Sequence, residues 1–318
     1  MIVSPATRSQ QTRPVPVRRC GRSGLHLPAV SLALRRHNNA WGHADTLLRQ
    51  AVEAGITHVE IASPSGEPAA TEELRNALHP VRLRREELTV SLRVGIGTPG
   101  PLPGFGSRQR ILSTLDAALH RTGLDFIDVL YAHRFDPTTP PDETVQALAW
   151  AVQQGKALYV GLSGFAPAML RKFLPLMEAQ GTPVVVVQVD YSLLDRWAEE
   201  GTFGLLEHYG VGCVATNPLA GGDLAITMPV GLDNLRAREA LTSVRHQLTR
   251  AAAARQQTLP QMAVSWALKE PRITSVTVEA TSPEELEEFC AASHTTHFDA
   301  EEKTVLNTIC QRVDEAAW

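Results

Sequence analysis

The 318-residue sequence has few cysteines and no strong excess of charge of either sign. Its four cysteines are far apart, with no CxxC pair and no histidine at metal-ligand spacing, so we predict neither disulfides nor a metal site. We interpret them as reduced thiols in a cytoplasmic protein. The net charge of −4 and the dispersed lysines and arginines argue against a nucleic-acid partner, which leaves a small molecule as the expected partner.

Long apolar runs are also missing. No run reaches the roughly 18 residues that a membrane-spanning helix needs, so we expect no membrane partner. The first residues, MIVSPATRSQQTRPVPVRR, lack the apolar core of a signal peptide. We predict that residues 1–16 form a disordered leader. Because no linker or change of composition divides the rest, residues 17–318 are predicted to form a single domain.

What the sequence does contain is a regular alternation of short β-branched runs with amphipathic segments. The runs HVEIAS, LTVSLRV, FIDVLYAH and VVVVQVDY are typical of buried strands, and SRQRILSTLDAALHRTG spaces its apolar residues as a helix does. Eight strand candidates alternating with helices predict an α/β fold, a closed (β/α)8 TIM barrel. A glycine-containing turn in RRCGRSGLHLPAVSLAL predicts an N-terminal β-hairpin before the first barrel strand.

Charged residues stand at several of the predicted strand ends. In such barrels the chemistry lies at the C-terminal ends of the strands, where the loops converge on one mouth. Glu60, Arg93 and His133 occupy such positions, and we interpret them together as a candidate catalytic site. His133 supplies a group whose unperturbed pKa is close to neutrality. For each residue alone, a structural ion pair or a buried core histidine is the alternative.

Several separated segments occur in an order known from one enzyme superfamily: YVGLSGF, DYSLLDRW, VGCVATNPLAGG and MAVSWALKEPRITSV. From about Val17 to its C-terminus the chain resembles the aldo-keto reductase superfamily. It is most similar to the branch of L-glyceraldehyde 3-phosphate reductases and potassium-channel β-subunits. The resemblance implies a (β/α)8 barrel, carbonyl reduction with NADPH and a catalytic tetrad of Asp, Tyr, Lys and His. Relatives in this branch associate, so a homo-oligomer is a further expectation.

The resemblance places this tetrad on altered residues. Glu60 takes the Asp position, Ser65 the Tyr position and Arg93 the Lys position, whereas His133 is retained. Residues 39–126 contain neither a tyrosine nor a lysine, so a shifted alignment recovers neither group. A serine hydroxyl cannot easily supply the proton that a phenol of pKa about 10 donates, and an arginine with a pKa above about 12 is a poor proton relay.

The cofactor positions implied by the resemblance are altered as well. VEATSPEELEEF resembles the segment that holds the adenosine phosphate end of NADPH, but Glu279, Glu285 and Phe289 replace its usual Gly, Gln and Asn. A carboxylate added beside the cofactor's phosphates is unfavourable by about 1 kcal/mol or more. The family positions that persist are interpreted as vestigial cofactor contacts: Ser163, Gln188, Leu219 and Glu288.

These replacements lead us to expect a protein that has abandoned hydride transfer and uses no cofactor. The expected activity is redox-neutral acid/base catalysis, a dehydration, isomerisation or cyclisation of a small biosynthetic intermediate. Glu60 and His133 would exchange a proton with the substrate, Arg93 would stabilise an oxyanion or bind an anionic group, and Ser65 would position the substrate. Further substrate contacts are predicted at Arg35, Arg134, Tyr191 and Asn217.

Two alternatives remain open because a fold does not determine a function. One is a residual NADPH-dependent carbonyl reductase with unusual cofactor contacts. The other is a catalytically silent binding or regulatory protein, as the similarity to channel β-subunits allows. Whether the protein binds a dinucleotide separates redox from non-redox chemistry.

Overall fold

The computed structural model describes residues 13–34, 44–61, 75–79, 85–95, 104–225 and 235–317. The strands in this part are β1 (Val17–Arg19), β2 (His26–Pro28), β3 (Val30–Leu34), β4 (His58–Ile61), β5 (Thr89–Gly95), β6 (Ile127–His133), β7 (Ala157–Ser163), β8 (Val184–Asp190), β9 (Gly212–Thr216) and β10 (Ile273–Val278). Strands β3 to β10 pair in parallel and close into a barrel in which β10 lies beside β3. The predicted (β/α)8 barrel is thereby confirmed.

Helices surround the barrel. They are α1 (Ala44–Glu53), α2 (Arg108–Thr122), α3 (Pro141–Gln153), α4 (Pro167–Ala179), α5 (Thr202–Tyr209), α6 (Leu235–Ala254), α7 (Leu259–Leu268), α8 (Pro283–Ala292) and α9 (Ala300–Ala317). Local sequence explains their ends. Ser107 caps α2 by accepting a hydrogen bond from the Arg110 backbone N–H, and Gly123 ends the helix with a φ of 69°. Leu115 and Leu48, on the inner faces of α2 and α1, are fully buried.

The predicted antiparallel hairpin is formed by β1 and β2. It packs against the N-terminal end of the barrel. The Arg18 guanidinium ties it to the barrel by donating to the Ile273 carbonyl at 2.8 Å. Gly161 leaves room here for the ring of Tyr131, because a Cβ at this glycine would lie 2.4 Å from the ring carbons. We call the buried cluster at this end the apolar plug: Cys20, Leu25, Leu27, Val129, Tyr131, Val186 and Val214.

A buried polar network crosses the barrel interior. His58 is fully buried, with Nδ1 2.7 Å from Ser31 Oγ and Nε2 2.9 Å from Ser91 Oγ. Ser31 Oγ lies 2.6 Å from Ser275 Oγ on β10. Burial lowers the pKa of His58 to about 4, so its ring is neutral at neutral pH. This serine–histidine network joins β3, β4, β5 and β10 through their side chains.

The predicted leader is described only from residue 13. Val15 is buried, and its N–H donates to the Ala54 carbonyl at 3.1 Å. The chain therefore packs on the barrel two residues before the predicted start of the domain. That residues 17–318 form one domain stays a prediction.

The four cysteines are free thiols, and all are buried. Within the described ranges, no helix is long and apolar enough to cross a lipid bilayer. Nor does this part of the chain bring three or more His, Cys, Asp or Glu side chains together as metal ligands.

Candidate active site

A cleft of about 480 Å³ opens at the C-terminal end of the barrel, where barrel enzymes carry their chemistry. This volume lies within the usual range for small-molecule sites. No tyrosine or lysine occurs among the described residues that line the cleft. The charged and polar lining includes Arg93, His133, Arg134, Ser163, Gln188 and Asp190.

Beneath the cleft, Glu60 is buried and doubly bound. Its Oε1 lies 2.9 Å from Arg93 Nη2, and its Oε2 accepts a hydrogen bond from Gln188 Nε2. The contact with Arg93 follows from strand pairing, because β4 and β5 are neighbours and place both side chains in the barrel interior. Glu60 is 1% exposed and Arg93 is 16% exposed, so the ion pair is largely shielded from water. Glu60 thus holds the Arg93 guanidinium at the floor of the cleft.

His133 ends β6 and faces the same cleft. Its Nδ1 lies 3.0 Å from the hydroxyl of Ser163, the residue that pairs with it on β7. Burial, and then the positive charges of Arg93 and Arg134, lower the pKa of His133 to about 4. At neutral pH the ring is therefore neutral, with one donor nitrogen and one acceptor nitrogen.

Gln188 lines this cleft and has an unsatisfied acceptor atom. The residue is 1% exposed, and its Oε1 has no hydrogen-bond partner within the described part of the chain. A buried polar atom without a partner costs about 1–3 kcal/mol, a cost that an amide donor from a ligand would remove. The carboxamide N–H of nicotinamide is such a donor. The residues present thus fit the nicotinamide end of a dinucleotide, with Gln188 and Ser163 at the positions that the resemblance gives to this group.

Two predicted substrate contacts lie at or next to the rim of the cleft. Arg134 lines the cleft, and Asn217 directly follows the lining residue Thr216. Arg134 is exposed and has no partner among the described residues. Asp190 accepts a hydrogen bond from the Thr216 hydroxyl at 2.9 Å. The adjacent Asn217 is exposed and uses its Oδ1 to accept from the Gly221 N–H at 2.6 Å, which shapes the loop after β9.

Tyr191, another predicted substrate contact, is packed away from the described lining. Its hydroxyl donates to Glu199 Oε1 at 2.8 Å, and its ring stacks on Trp266 with centroids 5.1 Å apart. Burial and the neighbouring Glu199 carboxylate raise its pKa. The geometry therefore offers no support for a substrate contact at this residue.

The remaining predicted site residues are dispersed. Leu219 is partly buried and packs against the main core. Glu288 on α8 accepts a hydrogen bond from the hydroxyl of Thr258, the N-cap of α7. Ser65 and Arg35 lie outside the described residues. The catalytic and binding roles assigned to all these residues stay predictions.

Sequence reasoning gave no role to Trp197 or to the serine–histidine network. Trp197 lies in a short 3-10 turn, Trp197–Glu199, and lines the cleft. It is the last residue of the segment DYSLLDRW, which begins at the last residue of β8. An aromatic residue in the loop after a barrel strand could have been predicted to line the cleft. The network could have been predicted from spacing. His58 and Glu60, and likewise Ser91 and Arg93, are polar residues two apart in a strand, which places each pair on the same face.

Comparison with known proteins identifies the family. The sequence model described as "Aldo/keto reductase family" matches residues 33–309. This chain belongs to the aldo/keto reductase family. It is 39% identical over 310 residues to L-glyceraldehyde 3-phosphate reductase of Escherichia coli (strain K12), which covers 90% of this chain and 89% of the relative. It is 28% identical over 296 residues to a protein of Oryza sativa subsp. japonica named "Probable voltage-gated potassium channel subunit beta", with 84% of this chain and 88% of the relative covered.

These relatives confirm the predicted branch of the family and correct two other predictions. The expectation of redox-neutral chemistry is wrong, because a reductase is 39% identical to this aldo/keto reductase over most of its length. The expectation that no cofactor is used is wrong on the same ground, because the family reduces carbonyls with NADPH. The error has a physical reason. The predicted replacement of the tetrad Tyr and Lys bears on the supply of the proton only, and Arg93 and His133, which line the cleft, are groups of a kind that can polarise a carbonyl.

Proposed function

We propose that this aldo/keto reductase is a nicotinamide-dependent carbonyl reductase that acts on a small aldehyde or ketone bearing an anionic group. One observation carries the proposal. In a barrel of a reductase family, Arg93 and His133 line the same cleft as Gln188, whose buried Oε1 has no hydrogen-bond partner among the described residues. The first two groups suit a carbonyl oxygen, and the third suits the amide of a nicotinamide.

A bound nicotinamide dinucleotide supplies the hydride, and the protein polarises the carbonyl. His133 Nδ1 lies 3.0 Å from the Ser163 hydroxyl, and we assign the ring the tautomer in which Nδ1 accepts from this hydroxyl and Nε2–H is presented to the substrate oxygen. A neutral histidine of lowered pKa is an established electrophile for carbonyl groups. Arg93, oriented by Glu60, places a permanent positive charge where negative charge develops on that oxygen.

The proton that completes the alcohol comes from water in this proposal. Neither a phenol nor an ammonium group is present in the described lining of the cleft. Because the pKa of His133 is about 4, its imidazolium form is scarce at neutral pH and is a poor proton store. Water beside Arg93 and His133 gives a proton to the alkoxide, whose charge these two groups stabilise until the transfer, and the hydroxide that remains takes up a proton from bulk solvent.

The anionic group of the substrate is assigned to Arg134. This arginine lies at the rim of the same cleft, with no partner in the described residues, and a guanidinium binds carboxylate or phosphate with two parallel hydrogen bonds. The E. coli relative is named for a phosphorylated aldehyde, which supports this class of substrate.

The experiment measures oxidation of NADH and of NADPH by the purified protein with glyceraldehyde 3-phosphate and with glyceraldehyde. We expect reduction of the phosphorylated aldehyde, and we expect His133→Ala to lower kcat by about 10²–10³-fold, the usual cost of one oxyanion donor. Arg134→Ala should raise KM for the phosphorylated aldehyde by more than for the neutral one. The matched control is Arg22→Ala, which removes a surface arginine far from the cleft.

If calorimetry shows that neither NADH nor NADPH binds, the proposal is contradicted. Full activity of His133→Ala contradicts the assigned role of the imidazole. An equal change in KM for both aldehydes in Arg134→Ala contradicts the anionic-group assignment alone.

A further inference from the structure

Gln188 and Arg93 share one carboxylate partner. Glu60 Oε1 lies 2.9 Å from Arg93 Nη2, and Glu60 Oε2 accepts a hydrogen bond from Gln188 Nε2. Arg93 and Gln188 both line the cleft, whereas Glu60 lies beneath it and is 1% exposed. The three residues belong to β5, β8 and β4, so the contact with Gln188 crosses the barrel interior. One buried carboxylate thus holds two side chains at the floor of the cleft.

The contact with Glu60 determines which way round the Gln188 amide lies. A side-chain amide has a donor end and an acceptor end of nearly the same shape, so either end can occupy a given place. A carboxylate in an ion pair, in contrast, offers oxygen atoms that only accept. The Nε2 donor of Gln188 therefore faces Glu60, and Oε1 is the end left for another partner. Turning the amide over would set Oε1 against the Glu60 carboxylate and remove the hydrogen bond.

The acceptor left by this orientation is buried and unpaired. Gln188 is 1% exposed, and its Oε1 has no hydrogen-bond partner among the described residues. The residue paired with it on β7 is Ser163, which is also buried and lines the cleft. In the tautomer assigned above, the Ser163 hydroxyl donates to His133, so toward a ligand its oxygen can only accept. Gln188 and Ser163 thus provide two acceptor atoms on neighbouring strands.

Two neighbouring acceptors suit a ligand group that donates twice. A primary amide has two N–H donors on one nitrogen, whereas a carboxylate has none. A carboxylate at this place would set its oxygens against Oε1 of Gln188 and leave that buried acceptor unpaired. The charge of Arg93 does not offset this cost, because the Glu60 carboxylate neutralises it. The arrangement therefore favours an amide over a carboxylic acid of the same shape.

We propose that Glu60 is a positioning residue: by holding Nε2 of Gln188 it makes this residue an acceptor, and it thereby gives the cleft a preference for nicotinamide over nicotinate dinucleotides. The inference rests on the proposed function, because it concerns the same cleft and the same class of cofactor. It assigns Glu60 a second task beside its ion pair with Arg93. This task concerns the binding of the dinucleotide and not the polarisation of the carbonyl.

The test compares the binding of four dinucleotides by isothermal titration calorimetry, without turnover. NAD⁺ and NADP⁺ carry the amide, and nicotinic acid adenine dinucleotide and its 2′-phosphate carry a carboxylate in its place. In the wild type, the Kd of each acid form should exceed that of the matching amide form by at least about tenfold, because a buried acceptor stays unpaired. In Glu60→Gln the new side chain can donate as well as accept, so Gln188 can lie either way round. The ratio should then fall to about threefold or less.

A double variant separates the orientation of the amide from the charge of its surroundings. Glu60→Gln alone leaves Arg93 without its carboxylate, and this charge would itself attract a nicotinate group. Glu60→Gln combined with Arg93→Met removes both charges of the pair, so no buried charge is left unpaired, and the ratio should again fall to about threefold or less. The matched control is Glu178→Gln, in the exposed ion pair with Arg22, which should leave the ratio unchanged. Thermal unfolding of each variant without ligand shows whether a change in Kd reflects a folded protein.

The outcomes separate this inference from the proposed function. Equal binding of the acid and amide forms by the wild type overturns the inference and leaves the reductase proposal standing. A wild-type ratio that persists in the double variant overturns the assignment to Glu60, even where the ratio falls in Glu60→Gln, because charge then explains that fall. Absence of binding by all four dinucleotides overturns both proposals.

Discussion

The two ends of the barrel use the same strands but different residue types. At the N-terminal end, the apolar plug packs the hairpin against Val129 and Val186. At the C-terminal end, Glu60, Arg93 and His133 line or underlie an open cleft. The difference shows that residues near the start of each strand contribute to the buried core, whereas residues near its end form the candidate active site. The plug supplies burial, and the cleft holds charges and unsatisfied acceptors that a protein retains at a cost in stability.

The comparison yields a general expectation. Substitutions in the plug should change the free energy of unfolding and leave kcat/KM unaltered. Substitutions at the mouth should lower kcat/KM and leave the free energy of unfolding unaltered, except where a buried charge loses its partner. The following variants are chosen to break or sharpen this contrast, and their expected effects decrease in order.

The largest effect is expected for Glu60→Ala. It removes the carboxylate that neutralises Arg93 in a shielded site, so the free energy of unfolding should fall by about 3–5 kcal/mol, measured by urea denaturation. The matched control is Glu178→Ala, which removes a carboxylate from the exposed ion pair with Arg22 and should cost less than about 1 kcal/mol. Equal costs for the two variants would show that the Glu60–Arg93 pair contributes no more than a surface pair.

The next effect belongs to the opposite end of the barrel. Leu27→Ala leaves a cavity in the apolar plug, where Leu27 is fully buried, and should lower the free energy of unfolding by about 2–5 kcal/mol. Below the unfolding transition kcat/KM should match the wild type. Val17→Ala, at an exposed position of the same hairpin, should change stability by less than about 0.5 kcal/mol. A loss of kcat/KM in folded Leu27→Ala would show that the two ends are coupled.

A smaller effect is expected for Gly161→Ala. The new methyl group would lie 2.4 Å from the ring carbons of Tyr131, so the ring or β7 must shift, at a cost of about 1–3 kcal/mol in thermal unfolding. Gly204→Ala in α5 is the control, because no atom lies within 4 Å of its added Cβ and alanine favours a helix. We expect this control to raise stability slightly. Similar melting temperatures for both variants would contradict the tight contact with Tyr131.

The smallest effect concerns pH. The pKa of His58 is about 4 in the folded protein and about 6.5 in an unfolded chain. Between these values the unfolded state binds more protons, so stability falls as the pH decreases from 6.5 to 4. His58→Gln, which retains hydrogen-bonding capacity toward Ser31 and Ser91, should reduce this dependence. His246→Gln, at an exposed position on α6, serves as the control in urea denaturation at both pH values. An unchanged pH dependence in His58→Gln would contradict the neutral buried state.

Much of the fold was predictable because buried parallel strands are continuous apolar runs. VVVVQVD and FIDVLYAH correspond closely to β8 and β6, and the glycine turn before β2 marks the hairpin. The meeting of Glu60 with Arg93 was predictable in the same way, since both stand at the ends of neighbouring strands. Periodicity along one strand determines which face a side chain occupies, and neighbouring strands share the barrel interior.

Other features depend on distances that a sequence does not contain. Gln188 on β8 reaches Glu60 on β4 across the interior, which requires the diameter of the closed barrel. Tyr191 follows a strand end, yet packing against Trp266 and the Glu199 carboxylate direct its hydroxyl away from the described lining. The wrong chemical expectation arose differently. A missing tyrosine and a missing lysine bear only on the supply of the proton, so their absence from residues 39–126 does not exclude hydride transfer.

The contact between Ser31 and Ser275 has a topological consequence. Every other pair of adjacent barrel strands is consecutive in sequence, whereas β10 and β3 meet only after the chain has travelled once around the ring. This closing junction depends on noncovalent bonds alone, and the Ser31–Ser275 hydrogen bond, continued through His58, reinforces it from inside. Separation of β3 from β10 would open the barrel at this junction, and the hydrogen bond between the two hydroxyls opposes that separation.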